Sequence, residues 1–129
     1  MQKTDLRNNA MMRRLLEALD QHQDIGHYGR LVFAMVARHF MEADEVVAEL
    51  VKDPDFTELQ AKALLQQVEQ NDYNPPRADR IRQWQKEQAF QIIPDGDPDA
   101  GNLYRDLKFP DHVYRNIEEY HEAKAEAQV

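Results

Sequence analysis

Two acid–histidine pairs stand one helical turn apart in this chain, Glu118 with His121 and Asp24 with His27. Glu-x-x-His is the ligand spacing of dinuclear carboxylate bundles, where one turn brings both donors to the same side. Such a centre also needs further glutamates facing inward. Here Glu118 and His121 lie beside Glu119 and Glu122, the pattern of a solvated face, and Asp24 is placed to cap a helix. A second metal pattern is Asp95-Gly96-Asp97-Pro98-Asp99-Ala100-Gly101. If Asp95 opens a calcium loop, Asp97 and Asp99 follow as ligands and Asp106 falls where the EF-hand places its bidentate glutamate. The loop's required glycine is replaced by Ala100, Gly101 comes one residue late, and Pro98 stiffens the turn. A solvated turn is the simpler reading, so Asp95, Asp97, Asp99 and Asp106 are candidates by pattern and no metal is expected. His39 follows an apolar run, with Glu42 one turn away. It is the residue to inspect for a perturbed pKa, although a structural hydrogen bond is the usual fate of such a histidine.

Arg77, Arg80 and Trp84 share a helical face, Tyr73 precedes them, and Arg82 and Lys86 add charge to the same stretch. Guanidiniums for phosphate and an aromatic for base stacking are what a single-strand binder uses. Trp84 with Ile81 is equally the anchor of an amphipathic surface helix. Upstream, two short helices joined by residues 52–56 have the outline of a helix-turn-helix. A DNA-reading version needs basic and polar side chains at the start of its second helix, and this one begins Glu58-Leu59-Gln60-Ala61-Lys62. The charge is wrong for that role, and a scaffold hairpin is the better reading.

What is missing narrows the chemistry further. The 129 residues include no cysteine and no serine, and Thr4 and Thr57 carry the only aliphatic hydroxyls. Hydroxyl and thiol nucleophiles are thereby nearly excluded, as are disulfides and cysteine-ligated metals. Four glycines, Gly26, Gly29, Gly96 and Gly101, form no phosphate-cradling motif. No cofactor is expected, no catalytic residue is identified, and the inventory leans against an enzyme. The net charge of −8 disfavours broad nucleic-acid binding. It is unevenly spread, however: residues 41–72 hold nine acids against two bases, while 73–93 are mildly basic.

The elements that must position these residues are helical. Met12, Leu15, Leu16 and Leu19 form an amphipathic stripe, predicting a helix over about 4–22 capped by Thr4 or Asp5. Asp24 is the expected cap of a second helix, about 25–41, apolar nearly all round and therefore central. Asp44 opens a short third helix with Val46, Val47, Leu50 and Val51 as its apolar face, ended by Pro54. Thr57-Glu58-Leu59-Gln60 is a capping-box pattern ahead of a helix over about 58–70 with Ala61, Leu64, Leu65 and Val68 as its stripe. Asn71 to Pro76 break the chain, a polar fifth helix covers about 76–90, and residues 91–109 show no period. Such a stretch is often functional or ordered by a partner. Pro110-Asp111 start a last helix with Val113, Ile117 and Tyr120 as its stripe, and 122–129 read as a frayed tail. The best strand candidate is Phe90–Ile93. The expected architecture is one all-α domain over residues 1–129, a compact bundle of five to six short helices.

Asp72-Tyr73-Asn74-Pro75-Pro76-Arg77, a helix and then Ile93-Pro94 resemble small helical domains found beside primases and helicases. The likeness covers roughly residues 44–104 and rests on one short motif. In those domains a helix hairpin leads through an Asn-Pro-Pro turn to metal-binding cysteines, for which this chain has no ligands. The first functional expectation is a non-enzymatic protein–protein interaction module or small accessory subunit, binding another protein or its own copy. Its contact residues would be Trp84, Tyr104, Arg105 and Phe109, since aromatics and arginine are the usual interface anchors. The alternative, which the resemblance selects, is an accessory domain contacting single-stranded nucleic acid through Tyr73, Arg77, Arg80, Arg82, Trp84 and Lys86. No membrane span is expected, because no apolar run approaches the roughly 20 residues required, and a cytoplasmic setting follows by default.

Overall fold

Asn9, not Thr4 or Asp5, starts the first α-helix. In this computed structural model, which describes residues 3–117, Lys3–Asn8 form a 3-10 turn. Asn9 then adopts an extended backbone and its side chain accepts a hydrogen bond from the Met12 N–H at 2.9 Å. Asparagine is among the best N-caps because its oxygen satisfies an otherwise orphaned donor. Helix α1 therefore runs Ala10–Asp20 and buries Met11, Met12, Leu15, Leu16 and Leu19.

Helix α2, Gly26–Ala37, is the central element: Val32, Phe33, Ala34, Val36 and Ala37 are fully buried. Its start corrects the expectation for Asp24. The cap position is Ile25, which has no side-chain oxygen. Asp24 Oδ1 accepts from the Gly26 N–H at 2.8 Å, while Gln88, far along the chain, accepts from the Tyr28 N–H at 2.9 Å. Gly26 has φ +78°, and a Cβ there would meet the Gln88 amide at 2.5 Å, so this turn requires glycine.

Helices α3, Ala43–Leu50, and α4, Glu58–Gln70, form the expected hairpin, and Thr57 and Gln60 complete the capping box. Between them Asp53 is fully buried. It accepts from the Ile25 N–H at 3.1 Å, the Asp55 N–H at 2.8 Å and the Arg30 guanidinium at 3.0 Å, tying the hairpin to the start of α2.

Helix α5 is shorter than expected, Ala78–Gln85. The following stretch holds a 3-10 turn, Pro98–Gly101, and a single-turn helix α6, Leu103–Asp106. Residues 111–117 are helical, α7, and bury Val113. Tyr120, the Glu118–His121 pair and the 122–129 tail lie outside the described residues. The architecture is all-α, and Phe90–Ile93 is not a strand, nor is any other described segment. One hydrophobic cluster runs from Leu6 to Val113 and takes in Ile92, Ile93, Ala100, Leu103, Leu107 and Phe109 from the irregular stretch. No helix among the described residues is long and apolar enough to cross a membrane.

Candidate interaction surface

Three of the four expected contact residues serve the fold itself. Trp84 is half-buried, stacked on Tyr28 with ring centroids 5.4 Å apart and planes 14° from parallel. It packs against the Ala34, Met35 and Val68 cluster. Tyr104 donates its hydroxyl to the Pro75 carbonyl at 2.7 Å, and burial pushes that hydroxyl up to about 12, with Tyr114 adding to the shift. Phe109 is 2% exposed and packs edge-on to Phe40 and His39, with Tyr104 at 5.3 Å. Its aromatic ring is core, because the extended residues before α7 turn it inward beneath Phe40. Arg105 does face solvent, held by Asp106 at 2.7 Å and Asp97 at 3.3 Å, which raise its pKa further.

That same arginine pairs with two of the four would-be calcium ligands, Asp97 and Asp106. Asp106 also accepts from the buried Asn9 amide at 2.9 Å, and Asp95 accepts from Gln91. Asp99 is exposed. The described residues contain no cluster of three or more metal-ligating side chains. Asp24 is engaged by the Gly26 N–H and by Arg30 at 3.2 Å.

His39 does have a perturbed pKa, lowered to about 4, mainly by burial and secondarily by Arg38 and His112, with Asp72 opposing. Its Nε2 is buried and finds no hydrogen-bond partner among the described residues. The His112 ring lies 5.8 Å away. Asp72, held below the usual carboxylate range chiefly by Arg38 at 2.7 Å, also accepts from Asn116. Glu42 plays no part in this group.

The basic stretch on α5 stays in solvent. Arg77, Arg80, Arg82 and Lys86 are all exposed. Arg77 lies 3.8 Å from Asp79, and the Arg80 guanidinium sits 5.8 Å from the Trp84 ring centre. Tyr73 is 38% exposed.

Among the described residues, two of the exposed large apolar side chains lie on the α3–α4 hairpin and the others are Tyr73 and Tyr114. On α4, Leu59 is 79% exposed, and at the end of α3, Val51 is 38% exposed. Both follow from helix geometry. Val46 and Leu50 face the core from α3, Val47 is half-buried against the same core, and Val51 is turned outward. On α4 the stripe Ala61, Leu65 and Val68 faces inward, which turns Leu59, about half a turn away around the helix, toward water. Between the helices runs an open groove of about 480 Å³ lined by Val47, Ala48, Val51, Asp44, Glu58 and Lys62. Lys62 is paired with Glu58 at 3.0 Å, and Lys52 with Asp20 and Glu49. Exposed Glu42, Asp44 and Glu45 make no ion pair among the described residues. A larger open groove of about 650 Å³ on Asp5, Phe40, Asp106, Phe109 and Asp111 has its aromatic residues recessed instead.

Sequence reasoning placed Val46, Val47, Leu50 and Val51 on a single apolar face and passed over Leu59. The available signal was that four apolar positions so grouped span more than one helix–helix contact covers, and that Leu59 lies off its own helix's stripe. No protein-family model, no curated protein and no solved structure matches this chain.

Proposed function

We propose that this chain is a non-enzymatic interaction module that docks a partner protein on the outer face of the α3–α4 hairpin. The observation that carries the reading is the apolar surface left open on the hairpin, Leu59, 79% exposed on α4, and a groove lined in part by Val47, Ala48 and Val51. Large apolar side chains grouped at a rimmed surface are where burial on association yields most free energy. The composition supports the reading, since it supplies neither a serine nor a cysteine nucleophile. A partner other than a second copy is favoured, because apposing two such faces would bring Asp44 and Glu45 against their own kind.

The test compares proteins co-captured from native extract by wild type and by Leu59→Asp/Val51→Asp, after matching circular dichroism and thermal midpoints. A set of proteins retained by wild type and lost by the double variant is the expected result. Identical captures would remove the α3–α4 face from consideration.

The exposed cations of α5 favour a second reading, single-strand contact through phosphates. Stacking on Tyr28 occupies one face of Trp84, so charge rather than base stacking would dominate. Anisotropy of a labelled oligonucleotide should then weaken steeply with salt and in Arg77→Ala/Arg80→Ala. A flat titration at low salt would end that reading.

A further inference from the structure

We infer that the occupant of the α3–α4 groove is a cationic amphipathic helix of the partner protein. The inference rests on the interaction reading above and adds the partner's chemistry. Its shape follows from what the groove offers. Both walls are helices whose backbone groups are bonded within the helix, and no described segment is a strand with an edge to extend. An extended peptide gains affinity mainly by pairing backbone groups with a sheet edge, and this surface has none. A helix brings its own backbone satisfied and needs only side-chain complementarity. Val47 and Val51 stand one turn apart on α3, and such a ridge interlocks with the apolar stripe of a third helix.

Its charge follows from the rim. Asp44 lines the groove, exposed and without an ion pair among the described residues, Lys62 is neutralised by Glu58 at 3.0 Å, and residues 41–72 as a whole hold nine acids against two bases. The local field is therefore negative, and it selects a partner whose apolar stripe is bordered by lysine or arginine. The chain's own basic helix does not meet this description. On α5 the apolar residues are Ile81, fully buried, and Trp84, engaged with Tyr28, so a second copy offers cations without an apolar stripe.

The experiment titrates the full-length, isotope-labelled protein with three synthetic peptides and follows backbone amide shifts. One is a leucine–lysine amphipathic helix, the second its leucine–glutamate counterpart, the third an oligolysine without apolar residues. Expected are shifts centred on Val47, Ala48, Val51, Leu59 and Lys62 with the leucine–lysine peptide. Affinity should fall at least about tenfold with Leu59→Asp, the loss expected of an interface anchor. It should fall comparably for each of the other two peptides, and Asp44→Lys/Glu45→Lys should reverse the preference between the leucine–lysine and leucine–glutamate helices. Leu59→Gln guards against a folding defect, because it removes the apolar anchor without adding charge. Equal binding of the two helices, equal binding of oligolysine, or shifts centred on the Asp5–Asp111 groove would each overturn the inference. The two levels separate cleanly. If native capture depends on Leu59 while the leucine–lysine helix leaves the groove unperturbed, the interaction reading stands and the cationic-helix partner falls. If native capture ignores Leu59 and Val51, the parent reading falls first.

Discussion

Between Ala43 and Gln70 the backbone satisfies most of its polar groups within two regular helices, with Thr57 and Gln60 closing the start of α4. Between Lys86 and Pro110 it has little regular structure, and side chains of the stretch itself and of other segments do that work. Gln85 accepts from the Ile93 N–H at 2.9 Å, Gln88 donates to the Ile25 and Phe90 carbonyls, and Gln91 donates to the Ile93 carbonyl. Arg14 donates to the Gln91 carbonyl at 2.8 Å and Asn9 to that of Ala100 at 2.8 Å. Buried backbone groups must be paired with something, so a segment without a helix or sheet consumes side chains to stay folded. The hairpin, whose helices satisfy most of their own hydrogen bonds, leaves Val51, Leu59 and the carboxylate of Asp44 uncommitted among the described residues. The difference teaches where to look for function in a small helical protein: at side chains the fold does not need.

The sharpest way to break this comparison is to remove an anchor from the irregular stretch. Phe109→Ala should cost about 3–5 kcal/mol, the range for deleting a buried phenylalanine, measured by urea unfolding. A loss below about 1 kcal/mol would show that the stretch is not part of the cooperative core. Next in size is Asn9→Ala. It removes the α1 cap and leaves the buried Ala100 carbonyl without its donor, for an expected cost of about 2–3 kcal/mol. Asn9→Asp separates the two roles. It keeps the cap oxygen but places a carboxylate against Asp106, so it should be no better than alanine at neutral pH. If it restores wild-type stability, the tether to the irregular stretch contributes nothing.

These residues also show what was legible beforehand. The α4 helix was readable to the residue, because Thr57 and Gln60 stand three residues apart and form a local device. The centrality of α2 followed from its unbroken apolar run. The misplaced starts of α1 and α2 have different causes. Thr4, Asp5 and Asn9 compete as caps, and nothing local decides among them. At α2 the deciding partner is Gln88, more than sixty residues away in sequence from Ile25, which no local pattern contains. The same distance problem hid how far the expected contact residues are buried. Trp84, Tyr104 and Phe109 have the composition of an interface, but whether an aromatic faces water or core depends on Tyr28, Pro75 and Phe40, contacts between remote segments. Leu59 was detectable as an apolar residue off its stripe, and its consequence became visible only from its 79% exposure in the folded protein.

A third prediction concerns the junction where the two regions meet the last helix. His39 has a folded-state pKa of about 4 against an ordinary 6.5. The folded protein therefore binds fewer protons than the unfolded chain between those values. Stability from keeping this ring neutral is fully present above pH 6.5 and is lost as pH falls toward 4. Arg38 and His112 facing the ring oppose its charging, Asp72 favours it, and the Phe109 edge supplies no counter-charge. Discounted for the ring's partial exposure, the loss should be about 1–2 kcal/mol. It should be visible as a lower urea midpoint at pH 5 than at pH 7.5. His39→Leu has no proton to gain and no orphaned Nε2, so its midpoint should vary less across that range. An equal slope in the variant would assign the acid sensitivity to other groups.

The smallest expected effect sharpens the comparison most. Leu59→Gln should change stability by no more than about 0.5 kcal/mol, the range for exposed positions away from caps and buried networks. Leu59 is 79% exposed, lies outside the buried cluster of its helix and takes no part in the capping box formed by its neighbours. Glutamine also has a helix propensity close to that of leucine, so the substitution tests side-chain exposure rather than helix formation. A loss above about 1 kcal/mol would mean that Leu59 packs against the fold after all, and the hairpin would then resemble the irregular stretch in spending its apolar side chains on stability. A neutral result combined with lost partner capture is the signature of a residue kept for binding, because an exposed leucine that neither stabilises the helix nor fills the core contributes only when something covers it.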